Sequence, residues 1–265
     1  MTDNRLRIEN TRKREMEKIP HIIHYCWFGG GKMNPEAQAC IEGWKERLPD
    51  YHFIEWNETN FQTERFPYAR TASEAGKYAF VSDVARIWAL YTCGGVYLDT
   101  DVEVCRDFSH CLEEDRAVFG FEYGNRLMTA FMAAVPGHPL IGEMLDYYEK
   151  IPFRPDEDLE KQANTILLTR LAKERGLVCD NSSQELTDGI RIWPEEYFSA
   201  YRLRSEQAAR TENTYTIHHY SASWMPASVR VRKKVKHMIR ACLGQDMLDK
   251  ILEKGRERNR YDTET

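Results

Sequence analysis

The stretch from Ser73 to Val104 constrains the fold most. Apolar residues at Phe80, Val84, Ile87, Trp88 and Tyr91 recur with helical spacing, so a long helix is predicted from about Ser73 to Cys93. Gly94 and Gly95 end it, and the apolar strand VYLDTDVEV (Val96 to Val104) follows at once. A helix feeding directly into a buried strand is a unit of α/β architecture. Its neighbours repeat the alternation. HIIHYCWF (His21 to Phe28) reads as a strand stopped by Gly29, Gly30 and Gly31; Pro35 opens a helix to about Leu48; YHFIEW (Tyr51 to Trp56) alternates as a second strand. AVFGFE (Ala117 to Glu122) and MTAFMAAV (Met128 to Val135) are strand-like, helices follow near Leu140 to Lys150 and Asp158 to Arg175, and TYTIHHYSASW (Thr214 to Trp224) is a strand running into a polar, aromatic loop. Such alternation predicts a mostly parallel sheet with helices on its faces, whose ligands bind beyond the carboxyl ends of the strands.

At 265 residues and 42% hydrophobic content, one such domain can bury its core. The expected division is an N-terminal helix over 1–19, the α/β domain over 20–228 and a basic C-terminal helix and tail over 229–265. A net charge of -5 excludes bulk nucleic acid as the main partner, because phosphate binding needs clustered positive charge. No apolar run reaches the ~20 residues that span a bilayer, and the start MTDNRLRIENTRKREMEKIP has no apolar signal segment, so a cytoplasmic protein is expected. Seven scattered cysteines without a C-x-x-C pair fit reduced thiols. In the terminal helix Arg230, Arg232, Lys233, Lys234, Lys236 and Arg240 alternate with Val231, Val235 and Ile239. Two readings stand: peripheral contact of residues 229–243 with anionic lipid at the inner membrane face, or a helix with a solvated basic face.

Asp99-Thr100-Asp101 is the strongest chemical signal. In extended backbone residues two apart face the same way, which would put Asp99, Asp101 and Glu103 on one side roughly 7 Å apart. Carboxylates that close repel unless a cation joins them, and Mg²⁺ or Mn²⁺ takes oxygen ligands while leaving positions for phosphate oxygens. A solvated acidic turn is the plain alternative. On the long helix Ser82, Asp83 and Arg86 place an acid and a base three apart; an exposed pair there contributes only about 0.2–0.5 kcal/mol, and spacing alone favours that reading. Trp27 and Phe28 beside the glycines offer a stacking ring and unobstructed backbone, or simply core. Of His218 and His219, adjacent on a strand, at most one can face the site.

Together these segments resemble glycosyltransferase family 32, the sugar-binding D-x-D group of bacterial capsular polysaccharide enzymes and yeast-type mannosyltransferases, with the glucosylating clostridial toxins as distant relatives. The resemblance runs from His21 to Trp224 and rests on IPHIIHYCWFGG, SDVARIWALYTCGGVYLDTDVEV, AAVPGHPLI, IRIWPEEYFSAY and HHYSASW, in that order. It implies an α/β GT-A fold, a Rossmann-like mixed sheet flanked by helices with helical additions at both ends. It also implies a uridine or guanosine diphosphate sugar as donor, a saccharide or lipid-linked acceptor, and Mn²⁺ or Mg²⁺. By resemblance, Trp27 stacks on the base, with Phe28, Gly29, Ser82 and Tyr97 around the donor. Asp83 and Arg86 hold sugar hydroxyls and the diphosphate, Asp99 meets ribose or sugar, and Asp101 is a direct metal ligand. The final loop, with His219, Ser221, Ser223 and Trp224, closes over the diphosphate; His219 and Ser221 are the candidates to complete the metal sphere, and the match leaves open which of His218, His219, Ser221 and Ser223 reaches the metal. Two departures bear on sugar and acceptor: Thr129 stands where relatives place Asn, and Asn164-Thr165 replaces a Gly-Pro pair.

The implied function is hexose transfer with retained anomeric configuration, in surface glycan synthesis. Two rivals use the same residues. A haloacid dehalogenase-type phosphatase would take Asp99 as nucleophile and Asp101 as general acid, and a silent module would bind a nucleotide sugar without turnover.

Overall fold

The computed structural model describes residues 18–220 except 124, 158, 203–206 and 209. Residues 1–17 of the expected N-terminal helix, the basic helix, and Ser221, Ser223 and Trp224 lie outside the described residues. Among the described residues no helix is long and apolar enough to cross a membrane.

The strands are β1 (Ile22–Cys26), β2 (His52–Trp56), β3 (Gly95–Leu98), β4 (Val102–Val104), β5 (Ala117–Glu122), β6 (Arg126–Ala134), β7 (Gln184–Leu186), β8 (Ile190–Trp193), β9 (Tyr201–Arg202), β10 (Gln207–Ala208) and β11 (Thr216–His218). The helices are α1 (Pro35–Arg47), α2 (Pro67–Glu74), α3 (Tyr78–Cys93), α4 (Pro139–Lys150), α5 (Asn164–Lys173) and the short α6 (Glu195–Phe198).

Seven strands form one sheet in the order β2-β1-β3-β6-β5-β8-β7. The pairs β1/β2, β1/β3 and β5/β8 are parallel, whereas β3/β6, β5/β6 and β7/β8 are antiparallel. The sheet is therefore mixed, as the family resemblance implies, and not mostly parallel as the alternation of elements predicts. Only residues 123–125 join β5 to β6. Parallel neighbours need a crossover of about a dozen residues, so that connection forces a hairpin and inserts an antiparallel strand between β3 and β5. Because β6 opposes both, β1, β2, β3, β5 and β8 run the same way and end on one edge of the sheet.

Side chains alternate across the sheet and bury both faces. Tyr97, Phe119 and Met132 pack with Val81, Val84, Ile87, Leu140 and Leu168 from α3, α4 and α5. Val96, Leu98, Val118 and Ala133 pack on the other side with Ile41, Trp44 and Leu48 around α1. Trp44 is fully buried, and its indole N–H donates to the Val102 carbonyl at 2.7 Å, which ties α1 to β4.

Two local expectations change. The helix predicted over 73–93 is two helices, α2 and α3, separated at Gly76, whose φ of +64° is a left-handed conformation that only glycine adopts cheaply. The strand predicted over Val96 to Val104 is likewise two. β3 stays in the main sheet, and β4 leaves it to pair antiparallel with β11. Asp99 to Asp101 form the turn between them, closed by Val102 N–H donating to Asp99 O at 2.9 Å.

Candidate active site

The site lies on the edge where β1, β3 and β5 end. At the end of β1, Trp27 is half-buried and its indole N–H donates to the Gly31 carbonyl at 2.7 Å, which anchors the ring across the glycine turn. Phe28 packs edge-on against Phe61 at 5.8 Å. Gly29 has φ +98°, and a Cβ there would stand 2.8 Å from the Tyr78 ring, so the position requires glycine on both counts. Its N–H donates to Glu58, a contact that local sequence does not reveal.

Behind this turn α3 presents Ser82, Asp83 and Arg86. Asp83 and Arg86 are buried, 8% and 5% exposed, so the exposed-pair reading favoured by spacing does not hold. Arg86 Nη2 lies 3.2 Å from Asp83 Oδ1 and 3.1 Å from Asp99 Oδ1. Its Nη1 donates to the Thr129 carbonyl at 2.7 Å and its Nε to the Ser82 carbonyl at 3.3 Å. The guanidinium also lies 4.4 Å above the Tyr97 ring, and the Tyr97 hydroxyl donates to Asp99 Oδ1 at 2.9 Å. All three nitrogens of Arg86 thus face protein acceptors. Arg86 holds Asp99 in its orientation. Burial pushes the Asp83 carboxyl up to about 7 against the opposing pull of Arg86, and Asp99 adds to the rise. Ser82 donates its hydroxyl to the Tyr78 carbonyl at 3.1 Å, one turn back on the helix. Cys26, beside this cluster, is a core thiol raised to about 12 by burial; the six described cysteines are all free.

The Asp99–Asp101 turn carries the exposed half of the site. Asp99, Asp101 and His218 each offer a ligand atom, and the three atoms lie within 4.8 Å of one another. This oxygen, oxygen and imidazole set suits a hard or borderline divalent ion. The turn, not an extended strand, brings the carboxylates together, and Glu103 is excluded: it lies on β4, paired with Arg210 and, at 3.1 Å, with His219. His218, not the expected His219, faces Asp101, with Nε2 3.4 Å from Oδ1. The cause is register. His218 pairs with Val102 across the β4/β11 ribbon, and alternation then sends His219 to the opposite side. Burial alone would lower the His218 pKa, but the charges of Asp101, Asp99 and Glu122 overcome it and raise it.

Two further features are not legible in the sequence alone. Glu122, at the end of β5, is a carboxylate only 5% exposed, with its pKa raised by burial. It pairs with Arg126 at 2.9 Å and accepts from Tyr220 at 3.4 Å. Its period-two position on β5 reads as ordinary strand, and only the hairpin partner identifies it. Thr129 and Asn164, the two departures from the family pattern, meet: the Thr129 hydroxyl donates to Asn164 Oδ1 at 2.6 Å, both side chains being buried. A contact between two positions so far apart in the chain is visible only in the fold.

Residues 34–118 match the family model described as a glycosyltransferase sugar-binding region containing a DXD motif. The chain is 26% identical over 148 residues to inositol phosphoceramide mannosyltransferase 1 of Schizosaccharomyces pombe, a match covering 53% of this chain and 46% of the relative. It is 32% identical over 91 residues to inositol phosphoceramide mannosyltransferase 3 of the same organism, covering 32% of this chain and 24% of that one. The chain thus matches about half the length of the first relative and about a quarter of the second. Among solved structures, PaToxG glycosyltransferase is similar at 20% identity, with a TM-score of 0.49, over 65% of this chain and 76% of that one.

Proposed function

We propose that this chain, which carries a DXD-containing glycosyltransferase sugar-binding region over residues 34–118, is a family-32-like glycosyltransferase that moves a hexose from a uridine diphosphate sugar to a saccharide or glycolipid acceptor with retained configuration. The observation that carries this reading is the convergence of Asp99, Asp101 and His218 within 4.8 Å at the end of β3. These three side chains would hold Mn²⁺ or Mg²⁺; when bound there, such an ion offsets the negative charge that develops on a departing diphosphate.

The remaining work belongs to the chain's own side chains. Arg86 and Tyr97 fix one oxygen of Asp99, so the carboxylate does not have to reorient as charge develops, which is how preorganised sites lower a barrier. Trp27 offers a ring beside the glycine turn for the base, and the open backbone at Gly30 and Gly31, where an added Cβ would meet nothing, leaves room for ribose and phosphate. Tyr78, whose ring closes on Gly29, and Ser82 line the same side. Ser221, Ser223 and Trp224 are assigned to the closing loop by the resemblance alone. A cytoplasmic position at the inner membrane face, where residues 229–243 would meet anionic lipid, belongs to the same proposal, as does a role in capsular or other surface glycan synthesis. The phosphatase alternative is less well supported, because Asp99 Oδ1 is already engaged by Arg86 and Tyr97 rather than presented to a phosphoryl group.

The test is thermal stability against a panel of nucleotide sugars. A ligand at a hundred times its Kd adds about 2.7 kcal/mol of stability. A uridine diphosphate sugar with Mn²⁺ is expected to give the largest upward shift, and chelation to abolish it. A shift indifferent to chelator would refute the assignment.

A further inference from the structure

We infer that the acceptor docks where β5 ends, against Tyr123, Arg126 and Glu122, and that the group recognised is a neutral saccharide rather than a phosphorylated one. This rests on the glycosyltransferase reading above.

The first argument is topological. Five strands end on the same sheet edge, and the residues assigned to the donor occupy the ends of β1 and β3. The end of β5, with the start of its hairpin partner β6, lies on the other side of the Asp99 turn. The backbone ties these places together, since Asp99 N–H donates to the Ala130 carbonyl on β6 at 2.9 Å. Aromatic contacts span the same gap: His218 lies 3.9 Å from the Tyr220 ring, and Tyr220 stacks on Tyr123 at 5.3 Å. An acceptor at Tyr123 is therefore adjacent to the cluster that would hold the donor diphosphate, on the side the donor leaves open.

The second argument is strain. Tyr123 has φ +52° in the hairpin turn, a left-handed conformation costly for a bulky side chain. Glycine or asparagine would sit there more easily, yet the chain holds a tyrosine whose ring is 37% exposed. Strained backbone of this kind gathers at ligand-binding positions.

The third argument is chemical. Arg126 lies 4.6 Å over the Tyr123 ring and pairs through Nε with the buried Glu122 carboxylate. The Arg126 side chain is 44% exposed, and the Tyr220 hydroxyl reaches both Ser199, at 2.8 Å, and Glu122. The guanidinium is thus already neutralised by a carboxylate. An anionic acceptor would meet Glu122 behind the arginine, whereas vicinal hydroxyls can both donate and accept across such a pair while a sugar ring lies against the aromatics.

Two arms test this on the full chain with UDP and Mn²⁺. Saturation-transfer NMR with methyl glycosides of glucose, galactose and mannose, and with myo-inositol 1-phosphate, reads acceptor binding directly. Initial rates with UDP-glucose, UDP-galactose and GDP-mannose read the acceptor KM apart from the donor KM. Tyr123→Gly relieves the strained φ, so it should match or exceed the wild-type melting temperature while weakening glycoside binding at least tenfold and moving the donor KM less than twofold. The double change Glu122→Gln with Arg126→Gln, which leaves no buried charge unpaired, should weaken glycoside binding to a similar extent. Wild-type glycoside binding in both variants would overturn the inference, as would no signal from any neutral glycoside or a signal from the inositol phosphate alone. Should UDP and the nucleotide sugars fail to bind while Tyr123→Gly still abolishes the glycoside signal, the donor reading fails, and with it the role of acceptor, while the saccharide site at Tyr123 stands.

Discussion

The two aspartates of the D-x-D turn sit two residues apart in entirely different surroundings. Asp99 is held by a cage whose other members are buried: Arg86 and the Tyr97 hydroxyl hold one of its oxygens, and Asp83 shares the same guanidinium, while the Asp99 side chain itself is 28% exposed. Asp101 belongs to the rim, where its neighbours are His218 and the β4/β11 ribbon, and where its carbonyl accepts from His219 N–H at 3.0 Å. The cage is built from the helix and the main sheet, and the rim from a two-stranded ribbon outside it. A single motif thus joins an acid clamped by helix and main sheet to an acid set against the ribbon, and both offer an oxygen to the same candidate ion site.

The comparison can be broken most severely at the rim. Asp101→Asn should lower kcat/KM by on the order of 10³, about 4 kcal/mol of barrier, with the fold intact by circular dichroism. Undiminished turnover would remove the rim from the chemistry. Next comes the cage. Arg86→Met leaves two carboxylates around a vanished cation and should destabilise the protein by about 3 kcal/mol in urea titration. Arg86→Lys should recover only part of this loss, because one ammonium cannot reproduce the forked contacts to Asp83, Asp99 and Thr129. Full recovery would show that charge, not geometry, is what the cage needs. Smaller again is the contrast between the histidines. His218→Ala should weaken Mn²⁺ binding by roughly 10- to 100-fold in calorimetry, the range typical of groups that support a metal site, and His219→Ala by less than about threefold. The reverse order would place the resemblance-based assignment to His219 above the register seen in the ribbon. Finally, Tyr97→Phe removes one hydrogen bond to Asp99 and should cost about 1 kcal/mol of stability, with a matching loss of several-fold in kcat/KM. A larger effect on KM for the donor than on kcat would mean that the hydroxyl touches ligand directly.

How much could be read in advance follows from the range of the interactions. Asp99 with Asp101, Asp83 with Arg86, and Trp27 with its glycines are local constellations on single elements, and the chain brings all of them to one edge. What stayed hidden depends on pairing across long separations. Spacing makes Asp83 and Arg86 a helix-surface pair; only the arrival of Asp99, 13 residues beyond Arg86, turns it into a triad centred on a buried guanidinium. The choice between His218 and His219 needs the register of β11 against β4. Glu122 needs Arg126 on the far side of a hairpin. The hairpin itself was in reach: two strand-like runs so few residues apart cannot be parallel, and that spacing alone predicts a mixed sheet. The single strand drawn through Val96 to Val104 failed for a different reason, because nothing local marks where β4 leaves one sheet for another.

The joint between α3 and β3 has a consequence for how this molecule can change. Gly95 has φ +104°, and an added Cβ would stand 2.6 Å from the Ile22 carbonyl, while His24 Nε2 lies 2.8 Å from the Gly94 carbonyl. Helix and strand are therefore geared together with no slack. A residue inserted at this joint would slide Asp99 out of reach of Arg86 and reverse the faces of β3, uncoupling the motif from its support without altering any member of it. Lineages descending from this chain can exchange the side chains that meet sugar and acceptor, but the interval from arginine to aspartate is a length they inherit unchanged.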